Sequence, residues 1–185
     1  MKSSTILAAT MFGVAFTMVG TPQTALAASA AELDRDATAA LSTLYKRYPS
    51  AVTLSKGAKA ILVFPKIIKA GFMVGGETGD GVMRVKGKTV GYYNTSGVSF
   101  GLQAGAQQYG YALFLMTDAA VKSISTAEGF EVGVGPTVVV MDDGMASKTT
   151  TTTAQSDIYA FIFGQEGIMA GLGIQGSKIT KIKKP

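Results

Sequence analysis

Residues 99–107, Ser-Phe-Gly-Leu-Gln-Ala-Gly-Ala-Gln, set the tightest limit on what this chain can fold into. Phe100, Leu102, Ala104 and Ala106 alternate with Ser99, Gly101, Gln103, Gly105 and Gln107, the period-two pattern of a strand with one face against a core. Side chains this small give up packing, which makes sense where another backbone, a bend or a ligand comes close. Residues 168–174 alternate in the same way, with Gly171 and Gly173 on one face. Two such strands, far apart in sequence, are expected to pair or cross closely and so tighten a closed or nearly closed sheet. The small residues are then architecture, and binding is expected elsewhere.

Composition narrows the chemistry. The 185 residues, 47% hydrophobic and 16% charged, suit one domain with a substantial core. Glycine is abundant at 23 residues, but without a Gly-X-Y period and with five prolines it belongs to folded structure. There is no His, Cys or Trp. That removes Ser-His-Asp and Cys-His catalysis, thiolate redox chemistry, disulfides and nearly all zinc sites. An oxygen-only calcium loop needs alternating acids before a glycine, and neither residues 77–81 nor 142–144 supply enough of them. No cofactor, metal or catalytic residue is therefore expected. The carboxylate pairs Glu77 with Asp80, Glu128 with Glu131, and Asp142 with Asp143 all read as solvated acids in turns. Residues 76–81 resemble a phosphate loop only superficially, because a strand pattern follows them instead of Lys-Ser/Thr and a helix.

The N-terminal segment has the pattern of a secretory signal peptide. Lys2 precedes an apolar run over residues 6–19, and Ala25-Leu26-Ala27 offers the small-x-small cleavage pattern. The run is shorter than the ~20 residues of a comfortable membrane span. Cleavage after Ala27 leaves residues 28–185 as a single domain, exported and periplasmic or associated with the cell envelope. With a formal charge of +5 on the full chain, that domain is mildly basic.

Helical spacing follows at residues 31–48, with Leu33, Ala37, Ala40, Leu41, Leu44 and Tyr48 on one stripe, Ser29 as cap and Pro49 as stop. Residues 60–64 read as a buried strand ended by Pro65. Turns are expected at 75–81, 86–88 and 164–167, and strands at 82–85, 90–93, 109–116 and 158–163, the last apolar on both faces, with a further strand pair from Phe130, Val132 and Val134 and from 138–140, bent at Gly133, Gly135 and Pro136. Asp118 is the expected cap of a short helix over 119–125. The Thr-rich residues 142–153 fit an edge strand or hairpin. The fold class is thus α+β: a mainly antiparallel, strongly curved or barrel-like sheet with an N-terminal amphipathic helix and one or two short helices.

Residues 58–65 (Ala-Lys-Ala-Ile-Leu-Val-Phe-Pro), 69–72 (Lys-Ala-Gly-Phe), 99–107 and 167–171 (Gly-Ile-Met-Ala-Gly), with Gly176, together resemble the SYLF domain, a lipid-binding family. The resemblance runs from about Leu33 to Ile182. It implies a non-enzymatic module that binds anionic phospholipid, phosphoinositides in eukaryotic relatives, with some fungal relatives also binding actin. Eukaryotic members use a basic amphipathic N-terminal segment, whereas the helix here opens with Glu32, Asp34 and Asp36. Phosphoinositide and actin specificity are accordingly not expected of an exported protein.

The expected function is binding of anionic phospholipid or a membrane surface in the bacterial cell envelope. Lys56, Lys59, Lys66 and Lys69 flank the 60–64 strand and, if folded to one edge, would attract phosphate headgroups, while Phe64, Ile67, Ile68 and Phe72 would insert. Lys178 and Lys181, near the C terminus, would extend that edge. Ordinary solvated lysines are the other reading of the same residues. The alternative function is an envelope structural or interaction module acting through edge-strand pairing or self-association. Nucleic acid is not an expected partner, since no basic motif is interleaved with aromatics.

Overall fold

Three strands of at least 25 residues, each sharply bent, make up most of the protein. The computed structural model describes residues 28–126, 130–131, 136–141 and 156–185. The elements are α1 (Ala30–Arg47), α2 (Pro49–Gly57), β1 (Ala60–Val85), β2 (Lys88–Leu115), α3 (Asp118–Ser125), β3 (Phe130–Glu131), β4 (Val138–Met141) and β5 (Ile158–Ile182). The sheet order is β1-β2-β5-β3, antiparallel throughout, with β4 alone parallel to β5. The α+β class and the curved antiparallel sheet are as the sequence predicts.

Each long strand has two arms. Residues 60–72, 104–115 and 158–170 form one, and residues 74–85, 88–100 and 174–182 the other. The bend in β1 is local: Met73 has φ 60°, and only two residue steps from Phe72 to Val74 oppose four in β2, from Ala104 to Phe100. The backbone turns back so tightly that a Cβ on Gly71 would sit 2.6 Å from the Val74 carbonyl oxygen. Further along, the arms touch directly. A Cβ on Gly79 would lie 2.6 Å from the Lys66 carbonyl oxygen and 2.9 Å from Ile67 Cγ1, so only glycine allows the two backbones to meet there.

This folding over explains the burial pattern. Between the arms lie Leu62, Phe64, Ile67, Leu113, Leu115, Ile158 and Ala160 from one, and Met83, Tyr93 and Ile179 from the other, closed by Ala120 and Ile124 of α3. The alternate residues Val63, Ala112, Phe114, Tyr159, Phe161 and Phe163 point to the opposite face and pack against Leu33, Ala37, Leu41 and Leu44 of α1 and Ala51 and Leu54 of α2. The 158–163 strand is apolar on both sides because it is covered on both sides.

α1 begins with a capping box between Ser29 and Glu32. Pro49 ends α1 and also starts α2, a helix not foreseen, where its fixed φ and missing N–H suit the first turn. The turn expected at 86–88 is present but one residue shorter, formed by Lys86 and Gly87 with φ of 48° and 79°, while Lys88 already pairs with Val85. Three other expectations are corrected. Pro65 does not end β1; it sits where the register with β2 shifts between Phe64 and Ile67. Residues 75–81 and 164–167 are not turns but continuous strand; 75–81 pair with residues 93–99, and Glu166 and Gly167 pair with Gln108 and Gln107. Thr117, not Asp118, caps α3, its hydroxyl accepting from the Ala120 N–H. The expected segments 1–27 and 142–153 lie outside the described residues, as do Val132 and Val134.

The two ends of the described chain are clasped. Ala30 N donates to the Pro185 carbonyl at 3.2 Å, and Lys184 Nζ bridges the Ala28 carbonyl at 3.1 Å and Asp80 Oδ2 at 2.6 Å.

One buried polar cluster lies between the arms. The Tyr109 hydroxyl donates to Glu77 Oε2 at 2.8 Å, beside a cavity of about 200 Å³ also lined by Tyr111, Thr95 and Ser177. Burial, and secondarily the Glu77 carboxylate, pushes the Tyr111 hydroxyl up to about 12. Its folded-state pKa is raised above the ordinary 10.0, so its contribution is complete below pH 10 and lost as pH rises through 12. Urea midpoints are expected to fall across that window, by up to about 3 kcal/mol of stability. Tyr111→Phe should flatten this alkaline slope, and an unchanged slope would refute the assignment.

Candidate functional site

Where the sheet folds over, the three strands expose large apolar side chains. Phe72, Met73 and Val74 come from β1, Val98 and Phe100 from β2, and Ile168 from β5, with Ile68 just behind. Phe72 is 74% exposed and Ile168 83%. In the register Phe72 lies opposite Ala104, Val74 opposite Phe100, and Ala106 opposite Ile168, so residues nearly a hundred positions apart share one ridge. Single exposed apolar residues are ordinary, but several at one bend of three paired strands make this edge the candidate interaction surface.

Residues 99–107 lie on this ridge, and the structure shows which of their two faces is buried: Ser99 faces inward, whereas Phe100, Ala104 and Ala106 are exposed. The expected close pairing is present, since Gly101 pairs with Gly173 and Gln103 with Gly171.

The lysines divide between two ends of the molecule. Lys66 and Lys69 lie on the arm of β1 leading to the ridge, Lys66 exposed and Lys69 half-buried. Lys178 is exposed on the returning arm, opposite Ser96 and Glu131, and Lys181 follows, exposed, opposite Tyr93. Lys56, in the last turn of α2, and Lys59 lie at the far end. From Lys59 to Lys69 is about 33 Å of extended strand, so the four lysines around residues 60–64 do not form one edge. Nor does Phe64 reach a surface: it is fully buried, stacked on Tyr111 and against Gly81. Ile67 is likewise core, leaving Phe72 and Ile68 exposed from the expected insertion set.

At the end remote from the ridge, α1, α2 and the β1–β2 turn enclose a cleft of about 820 Å³. Sequence reasoning missed it because Lys46, Lys56, Arg84 and Lys86, which line it, come from four separate elements and turns. Arg84 Nη2 donates to the Asp34 carbonyl at 2.7 Å and to Thr38 Oγ1 at 2.9 Å, which fixes the guanidinium against α1. Burial raises the pKa of the Tyr45 hydroxyl, also in the cleft, and keeps it a neutral donor.

Of the carboxylates considered for catalysis, Glu77 is buried on Tyr109, and Asp80 accepts from Asn94 and Lys184. Both lie within β1, not in a turn. Among the described residues no helix is long and apolar enough to cross a membrane.

Residues 96–184 match a protein-family model described as Ysc84: Las17-binding protein actin regulator. The matched residues include most of β2 and all of β5, and with them Val98, Phe100 and Ile168 of the ridge. No curated protein matches the chain.

Proposed function

Residues 96–184 of this chain belong to the Ysc84, or SYLF, family of binding domains, and from that premise we propose that the protein binds the surface of anionic membranes without catalysing a reaction. The observation that carries this reading is the apolar ridge. Phe72, Met73, Val74, Phe100 and Ile168 are exposed near the bend of three paired strands, an apolar edge suited to the boundary between headgroups and acyl chains. Lys66, Lys69 and Lys178 lie behind the ridge on both arms, where they would meet phosphate oxygens once the apolar residues are inserted.

The family description names Las17 binding and actin regulation. For this chain the signal-like residues 1–27 favour the cell envelope, where lipid is the partner that both an apolar ridge and flanking lysines fit. Actin is not part of the proposal.

Flotation with vesicles tests it. The protein is expected to float with anionic vesicles at low salt and to be released as the screening length contracts from ~30 Å at 0.01 M to ~8 Å at 0.15 M salt. Lys66→Gln with Lys178→Gln should weaken binding by about 1 kcal/mol per lysine, steepest at low salt. Equal flotation with zwitterionic and anionic vesicles at low salt would defeat the proposal. Self-association that buries the ridge, seen as a concentration-dependent mass without vesicle binding, would replace it with the edge-pairing alternative.

A further inference from the structure

The basic cleft lies some ten strand residues from the ridge, on the side of the β1–β2 turn, so insertion of the ridge makes no use of it. Lys46, Lys56, Arg84 and Lys86 line it and, among the described residues, no carboxylate does. The three lysines are exposed and make no ion pair among the described residues. Like charges gathered at a low-dielectric wall repel one another, and a bound anion relieves that repulsion. Arg84 adds an independent sign. Its side chain is only 14% exposed, and its Nε is buried without an acceptor among the described residues, leaving hydrogen-bonding capacity unused.

The remaining lining is apolar. Leu41 and Ala60 are buried there, and Ala58 and Ile61 are half-buried. A bare inorganic anion would leave this wall uncovered, and a purely hydrocarbon ligand would leave the three lysines unanswered; Arg84 is already paired with Asp34, at 4.0 Å. A volume of about 820 Å³ falls within the range of small-molecule sites. We propose that the cleft holds one molecule of an anionic amphiphile, a phosphate or carboxylate head on a single hydrocarbon body. The head meets Lys56, Lys86 and Arg84, and the body lies along Leu41, Ala58 and Ile61. The site takes a monomeric ligand from solution, independently of docking on a bilayer.

Titration calorimetry of the whole protein below micellar concentrations tests this, with dodecyl phosphate, dodecanoate, dodecyltrimethylammonium and inorganic phosphate as probes. One-to-one binding of dodecyl phosphate or dodecanoate is expected, and the tighter of the two identifies the preferred head. Lys56→Gln with Lys86→Gln should weaken it about tenfold or more. Ser42→Trp, which fills the cleft from an exposed position on α1, should abolish it. Both variants should float with anionic vesicles as the parent does, and variants of the ridge should bind the amphiphile unchanged, so this site and the membrane surface can fail separately. Inorganic phosphate or dodecyltrimethylammonium binding as tightly as dodecyl phosphate would overturn the proposal. So would absence of binding by both anionic amphiphiles, or binding untouched by the cleft variants.

Discussion

A protein carrying Phe72→Ser and Phe100→Ser is expected to keep its fold and to lose two orders of magnitude or more in affinity for anionic vesicles. Both rings are mostly exposed and so contribute little to the core. Moving a phenylalanine side chain fully out of water is worth about 1.5–3 kcal/mol. Two rings, even if incompletely buried in the interface, then account for about 3 kcal/mol, a factor above one hundred. Val90 supplies the control, since it is exposed near the β1–β2 turn and far from the ridge. Val90→Ser should float as the parent does. The thermal midpoint of the double variant should not fall, because the change removes exposed apolar surface and creates no cavity. Undiminished flotation of the double variant would remove the ridge from the mechanism.

The largest effect on stability is expected from Gly79→Val. Its Cβ would fall 2.6 Å from the Lys66 carbonyl oxygen and 3.0 Å from Ile67 Cα. These are backbone atoms, so relief requires separating the two arms and opening the core that holds Phe64 and Met83. Overpacking of this kind costs about 1–3 kcal/mol when side chains can adjust, and more when backbone must move. Against a typical stability of about 5–15 kcal/mol, the variant should unfold at clearly lower urea or fail to accumulate as folded protein. Gly76→Val is the matched comparison: the nearest atom to its Cβ is the Gly97 carbonyl oxygen at 3.9 Å, and valine favours strands. It should be neutral or slightly stabilising. Equal urea midpoints for Gly79→Val and Gly76→Val would show that the arms do not pack as described.

What the sequence revealed was local. The leucine stripe and caps of α1, the Lys86-Gly87 turn and the two-faced apolar run of β5 follow from rules acting over a few residues, and each is present. The pairing of Gly101 with Gly173 was also legible, because small residues in two alternating runs imply close backbones. The misread glycines at 75–81 and 164–167 show the limit. In sequence, a glycine that permits a turn and one that permits two arms of a single strand to touch look alike. Only the contact of Gly79 with Lys66, thirteen positions away, separates them. The site suffered for the same reason. Period-two alternation states that two faces differ, not which one is buried; only the structure shows Ser99 inward and Phe100 outward. Lysines near one another in sequence around residues 60–64 would share an edge only if the chain folded back there, and an extended strand carries its two ends apart. The cleft's four cations gather only after α1, α2 and the hairpin are in place.

The clasp between Ala30 and Pro185, reinforced by Lys184 on Ala28 and Asp80, makes the described chain nearly circular. A short peptide joining position 185 to position 28 would span almost no distance, and the exposed Lys86-Gly87 turn offers a place to open new ends. Such a rearranged gene would begin with β2 and finish with β1, separating the two strands that now form a hairpin by the whole length of the polypeptide. The same sheet would then have to close by its most distant contacts, so refolding should slow while the ridge persists unaltered.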